Sequence, residues 1–168
     1  MRKFLTLFVA AVTLLLFPAL AFARVPQPGD PGVRVAKFWV GKAYYEVNGQ
    51  WHQMDVAPYI KNGRVLLPLR YVGYALGVAP EDVTWDPAKR QAILKRWWGK
   101  EEDLAYYDSV KFTVGNTKFF VNKNFVSAIL DQPPKIKDGR AMLTMRAAVH
   151  ALGGMCFWDP KERSVTVE

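Results

Sequence analysis

Apolar and polar residues alternate over 37–47 around Gly41-Lys42, and again over 111–121 around Gly115-Asn116. A period of two with a glycine-containing turn predicts a β-hairpin at each place. Downstream, Lys61-Asn62-Gly63-Arg64 and Lys137-Asp138-Gly139-Arg140 read as turns in which glycine accepts positive φ. A short apolar strand follows each turn, over 65–67 and 141–143. The period then lengthens to that of a helix. Leu69, Val72, Ala75 and Leu76 form an apolar stripe behind Pro68, which suits the first helical position, and Gly77 ends it. Met145, Ala148, Val149 and Leu152 form a second stripe, with Thr144 as its expected cap and Gly153 as its stop. Helices of about nine residues do not stand alone in water, so each is expected to pack on a sheet.

The two series are copies of one another. Lys37-Phe38-Trp39-Val40-Gly41 answers Lys111-Phe112-Thr113-Val114-Gly115, and Tyr45, Val47 and Asn48 answer Phe119, Val121 and Asn122. Asp55, Arg64, Arg70 and Gly77 answer Asp131, Arg140, Arg146 and Gly153. Beyond each helix comes Trp-Asp-Pro, at Trp85-Asp86-Pro87 and Trp158-Asp159-Pro160. Aspartate at the first place of a type I turn and proline at the second fit a hairpin corner, with the tryptophan ending one strand near the helix. Agreement at so many positions marks an internal duplication.

The stretch "VNGQ…DVAPYIKNGRVLLPLRYVGYALG…VTWDPAKRQAIL" resembles the copper amine oxidase N-terminal-like domain, also called the stalk domain. The pattern is carried by Gly63, Arg64, Pro68, Arg70, Gly77, Trp85 and Asp86 in the first copy. Gly139, Arg140, Arg146, Gly153, Trp158 and Asp159 carry it in the second, which departs at Thr144-Met145, where Pro-Leu is usual. The resemblance implies an α+β fold of two tandem units, each an antiparallel β-sheet wrapped around one short α-helix. It implies exported proteins of Gram-positive bacteria. It implies no chemistry, because the copper and quinone centre of the amine oxidases belongs to a different domain. The expected division is a linker over 24–34, a first unit over 35–98, a connector over 99–109 and a second unit over 110–168.

The beginning of the chain has a separate character. Met1-Arg2-Lys3 is basic, residues 4–17 are apolar or small, Pro18 breaks the run, and Ala21-Phe22-Ala23 is an A-x-A site. This reads as a secretory signal peptide over 1–23, cut after Ala23. No second run is long enough to span a bilayer, so the mature chain is expected to be secreted or associated with the cell envelope, with no transmembrane anchor. A single cysteine, Cys156, excludes an internal disulfide and reads as a buried small hydrophobe. Export without disulfides suits a bacterium. The formal net charge of +8 falls to +6 once Arg2 and Lys3 leave. Outside a cell, wall polymers or membrane surfaces replace nucleic acid as the counterpart of that charge.

Catalytic material is sparse. The two histidines, His52 and His150, have no second ligand at helical or hairpin spacing, so no metal and no cofactor are expected. Ala105-Tyr106-Tyr107-Asp108 is not a quinone precursor. Glu81-Asp82 and Glu101-Glu102-Asp103 lie in polar stretches that suit solvation, with no sign of the burial a glycosidase acid needs. Cys156 has only Met155 and Phe157 beside it, and no charge that would activate a thiol. Arg70 and Arg146 recur at one helix position, where they could clamp a carboxylate or phosphate, and read first as structural hydrogen-bond donors to a neighbouring strand.

Aromatic residues say more. Arg96-Trp97-Trp98-Gly99-Lys100 has no counterpart in the second copy, and basic residues interleaved with aromatics suit a glycan or anionic polymer. Continuing the alternation from Ala92 and Leu94 turns Trp98 toward the core and Trp97 outward. The candidate binding set is Trp97, Lys95, Lys100, Tyr106 and Tyr107, with no catalytic residue. The expected function is a non-catalytic exported module that binds a cell-wall polymer or an envelope protein. A small envelope hydrolase, or an inhibitor or regulator of another exported protein, is the alternative.

Overall fold

The computed structural model describes residues 33–101, 104–122 and 125–168, with side chains for all of these except 98–101, 104–108 and 125–128. The expected signal peptide at 1–23 and residues 24–32 of the expected linker lie outside them. The first half contains β1 (Ala36–Trp39), β2 (Tyr44–Val47), β3 (Gln50–Gln53), β4 (Tyr59–Lys61), β5 (Arg64–Pro68), helix α1 (Leu69–Ala75), a 3-10 turn (Pro80–Asp82), β6 (Val83–Asp86) and β7 (Gln91–Glu101). The second repeats the order with β8 (Leu104–Thr113), β9 (Lys118–Val121), β10 (Phe125–Ile129), β11 (Lys135–Lys137), β12 (Arg140–Thr144), α2 (Met145–Ala151), β13 (Cys156–Asp159) and β14 (Ser164–Val167).

The hairpins predicted from alternation form, and β3 and β10, which alternation does not predict, add a third strand to each. In the tight turns both central residues have positive φ, 52° and 68° at Asn62-Gly63 and 49° and 73° at Asp138-Gly139. That is the turn whose twist matches the flanking strands of a hairpin. Two local expectations are corrected. Pro68 is not the first helical residue: its ψ of 119° is extended, and it closes β5 before α1 begins. Thr144 does not cap α2 with its side chain, because its hydroxyl donates to Asp131 Oδ1 at 3.1 Å.

Strand pairing joins the two halves to each other. One five-stranded sheet runs β13-β14-β1-β2-β3, so the first hairpin of the first half is completed by the last hairpin of the second. The other runs β10-β9-β8-β7-β6 and makes the converse exchange. The register repeats as well: Ala36 faces Val167 and Phe38 faces Val165, while their counterparts Val110 and Phe112 face Leu94 and Ala92. A four-stranded sheet, β11-β12-β5-β4, lies between the halves, and in it Leu67 pairs with its own counterpart Leu143. An approximate twofold therefore passes through that pair. Residues 99–101 and 104–109, expected as a connector, are strand and pair within β7 and β8.

One hydrophobic core serves both halves. Phe38, Leu67, Val72, Leu94, Phe112, Leu143, Val149 and Val167 are all buried in it, and α1 packs on β12 while α2 packs on β5. Leu66 and Met142 face the other way, into a small cluster with Val56. Ion pairs repeat the exchange at the surface. Arg64 Nε lies 2.6 Å from Asp131 Oδ2, and its counterpart Arg140 pairs through Nε with Asp55. Each joins the tight turn of one half to a loop of the other.

Candidate functional site

Trp97 is 50% exposed on β7, with Lys95 exposed two residues before it. Its Nε1–H donates to Asp82 Oδ2 at 2.6 Å, so the carboxylate of the 3-10 turn orients the indole. Through the backbone, Trp97 pairs with Tyr107, Gly99 with Tyr106 and Lys100 with Ala105, which brings the candidate set onto one hairpin. The side chains of Lys100, Tyr106 and Tyr107 lie outside the described residues. The register shifts between Trp97 and Gly99, making Trp98 the extra residue of a bulge. The alternation that turned Trp98 toward the core is interrupted there.

The remaining chemistry is scattered. His52 is exposed on β3 and stacks on Tyr45 at 5.1 Å between centroids, and His150 is exposed in the last turn of α2. Among the described residues no three His, Cys, Asp or Glu side chains gather where they could hold a metal ion. Cys156 is half-buried against the core, and burial pushes its thiol up, with Arg146 acting weakly the other way. Asp86 and Asp159 accept backbone N–H groups inside their own turns, from Lys89 at 3.0 Å and from Lys161 at 2.8 Å, as hairpin corners require. The strand hydrogen bonds expected of Arg70 and Arg146 are absent: among the described residues neither guanidinium makes a hydrogen bond.

A second aromatic surface escaped the sequence reading. In the first five-stranded sheet, Ala36, Phe38, Tyr45 and Val47 point into the core, which turns Lys37, Trp39, Tyr44 and Trp51 to the opposite face. Trp39 and Trp51 stack at 5.3 Å with their planes 24° apart, and Tyr44 meets Trp51 edge-on at 5.3 Å. Trp51 is 61% exposed and Tyr44 38%. Lys37 Nζ sits 5.3 Å from the Trp39 ring centre and also pairs with Glu162. Phe157 of β13 is exposed as well, one residue from core-facing Cys156. Trp39 and Tyr44 were readable, since each lies one step out of phase with a core aromatic. Trp51 was not, because β3 carries no apolar alternation.

The recurring motif residues also converge across the halves. Trp85 and Arg70 share a cleft with Gly139 and Arg140 of the other half. Trp158 and Arg146 share the equivalent cleft with Gly63 and Arg64. The tryptophans stand beside the helices as expected, yet remain 44% and 40% exposed.

Fold and surface define an α+β module of shared antiparallel sheets and two short helices, with aromatic rings on open faces. Among the described residues no helix is long and apolar enough to cross a membrane. The family model of the copper amine oxidase N-terminal domain matches residues 33–94 and 46–167. The chain belongs to that family, whose domain is a non-catalytic stalk. No curated protein and no solved structure matches the chain.

Proposed function

We propose that this chain is a non-catalytic exported module, delivered by residues 1–23 as a signal peptide, that holds a cell-wall polymer against the outer face of its first sheet. The observation that carries this reading is the Trp39–Tyr44–Trp51 ladder with Lys37 beside it. The fold does not need those rings. At the equivalent positions the second half has Thr113 for Trp39 and Lys118 for Tyr44, on the same strand geometry. Aromatic rings on an open sheet suit the flat apolar faces of sugars, and a cation beside them suits an anionic polymer. Trp97 and Lys95 extend the same chemistry to the other five-stranded sheet.

The internal copy supplies the test. Trp39→Thr with Tyr44→Lys installs the residues that the second half already carries, so the fold should hold. Retention on purified wall material should fall about 10-fold, equivalent to roughly 1–1.5 kcal/mol for the lost ring contacts. Unchanged retention with an unchanged melting curve would remove the ladder as the binding face. Release of soluble sugar from the polymer during incubation would overturn the non-catalytic assignment.

A further inference from the structure

The twin clefts are a separate feature, since none of Trp39, Tyr44 and Trp51 lines either of them. The first, about 290 Å³, sets Trp85 and Arg70 against Ile136, Gly139 and Arg140 of the other half. The second, about 380 Å³, sets Trp158 and Arg146 against Ile60, Gly63 and Arg64, with Asp131 in its wall. These volumes are near the lower end for small-ligand pockets. Every one of these residues except Asp131 has its counterpart in the other cleft, so the duplication builds one site twice, each time from both halves. In both, an indole and an isoleucine side chain stay exposed that packing would otherwise cover. In both, a guanidinium without a hydrogen bond stands beside the ring, and a second arginine is engaged by a single aspartate.

We infer that the two clefts are equivalent binding sites for an acidic sugar unit. The exposed ring takes the apolar face of the sugar, and Arg70 or Arg146 takes its carboxylate in a forked, charge-assisted contact. Gly139 and Gly63, both at positive φ, line the two clefts and face open space. Asp55 pairs with Arg140 and faces the charge of Arg70 at the first cleft, as Asp131 pairs with Arg64 at the second, so each site sets one carboxylate beside its two arginines. A polymer with repeated acidic units can occupy both clefts at once, which multiplies retention without new contacts.

Calorimetry on the mature chain tests this with trigalacturonate, its methyl ester and acetyl-dialanine as probes. The expected result is two sites for trigalacturonate and at least 10-fold weaker binding of the ester. Arg70→Gln and Arg146→Gln should each remove one site. The melting temperature should stay put in both variants, because neither side chain bonds to the fold. Equal binding of acid and ester, or wild-type binding by the Arg70→Gln, Arg146→Gln double variant, overturns the proposal. Binding of acetyl-dialanine in preference to trigalacturonate also overturns it, by assigning the clefts to peptide carboxylates. The ladder is scored on wall retention, so its failure and that of the clefts are read in different assays.

Discussion

Removing the Asp131 carboxylate should destabilise the fold more than an exposed ion pair can explain. Its Oδ2 takes Arg64 Nε at 2.6 Å, and its Oδ1 accepts the Thr144 hydroxyl at 3.1 Å. Arg64 is half exposed, and such a pair contributes about 0.2–1 kcal/mol. Thr144 is different: it is 3% exposed, at the junction of β12 and α2. A buried hydroxyl left without an acceptor costs about 1–3 kcal/mol. Asp131→Ala should therefore cost roughly 1–4 kcal/mol, and each kcal/mol lowers the melting temperature of a chain this size by roughly 2–4 °C. Asp131→Asn keeps an acceptor and should cost about 0.5–1 kcal/mol at pH 7. Burial works to raise the carboxyl's pKa, but hydrogen bonds from Arg64 and Thr144 and the charge of Arg64 outweigh it, leaving it below the ordinary carboxylate range. With the folded pKa depressed, the charge contributes stability above the ordinary range and loses it as pH falls through the depressed value. The deficit of Asp131→Asn should accordingly shrink in acid. Urea unfolding of Asp131→Ala, Thr144→Val and the double variant gives the coupling. A coupling below about 0.3 kcal/mol, the level of independent sites, would refute the reasoning.

Gly154→Ala should destabilise by about 1–3 kcal/mol, as overpacking does. The new Cβ would lie 2.7 Å from the Glu168 carbonyl and 3.0 Å from both Leu76 and Val149, and an unchanged melting curve would contradict that crowding. A chain of residues 33–98 alone lacks β14 beside β1, β8 beside β7 and β12 beside β5, so it should fold only as a homodimer in which a second copy supplies the equivalents. Sedimentation that finds a folded monomer would contradict the exchanged pairing.

The sequence carried the local elements because their periods are local. Lys37-Phe38-Trp39 and Leu69–Leu76 each show their buried face within one turn or one strand. Strand β3 was hidden for the opposite reason: Gln50-Trp51-His52-Gln53 are all exposed, so nothing alternates. The exchange of hairpins was hidden by the duplication itself. Ala36 and Phe38 can face Val167 and Val165 or, with the same chemistry, Leu94 and Ala92. What decides is the long antiparallel pairing of β7 with β8, which occupies the edge that a self-contained second unit would offer to β14.

Laying one half on the other also separates two kinds of exposed residue. Phe38 and Phe112, or Leu94 and Val167, agree because both are buried, and packing accounts for them. Trp39 and Thr113, half-buried on the face away from the core, disagree, as positions with no demand from the core are free to do. Trp85 and Trp158 fit neither case. They are exposed, and among the described residues their neighbours Arg70 and Arg146 make no hydrogen bond, yet both copies keep them. An exposed indole contributes little to a core and a solvated guanidinium less, so the folded chain alone supplies no reason for the pairing to recur. The binding proposed for both clefts would supply that reason. The ladder, present once and proposed as a separate contact, carries no such requirement.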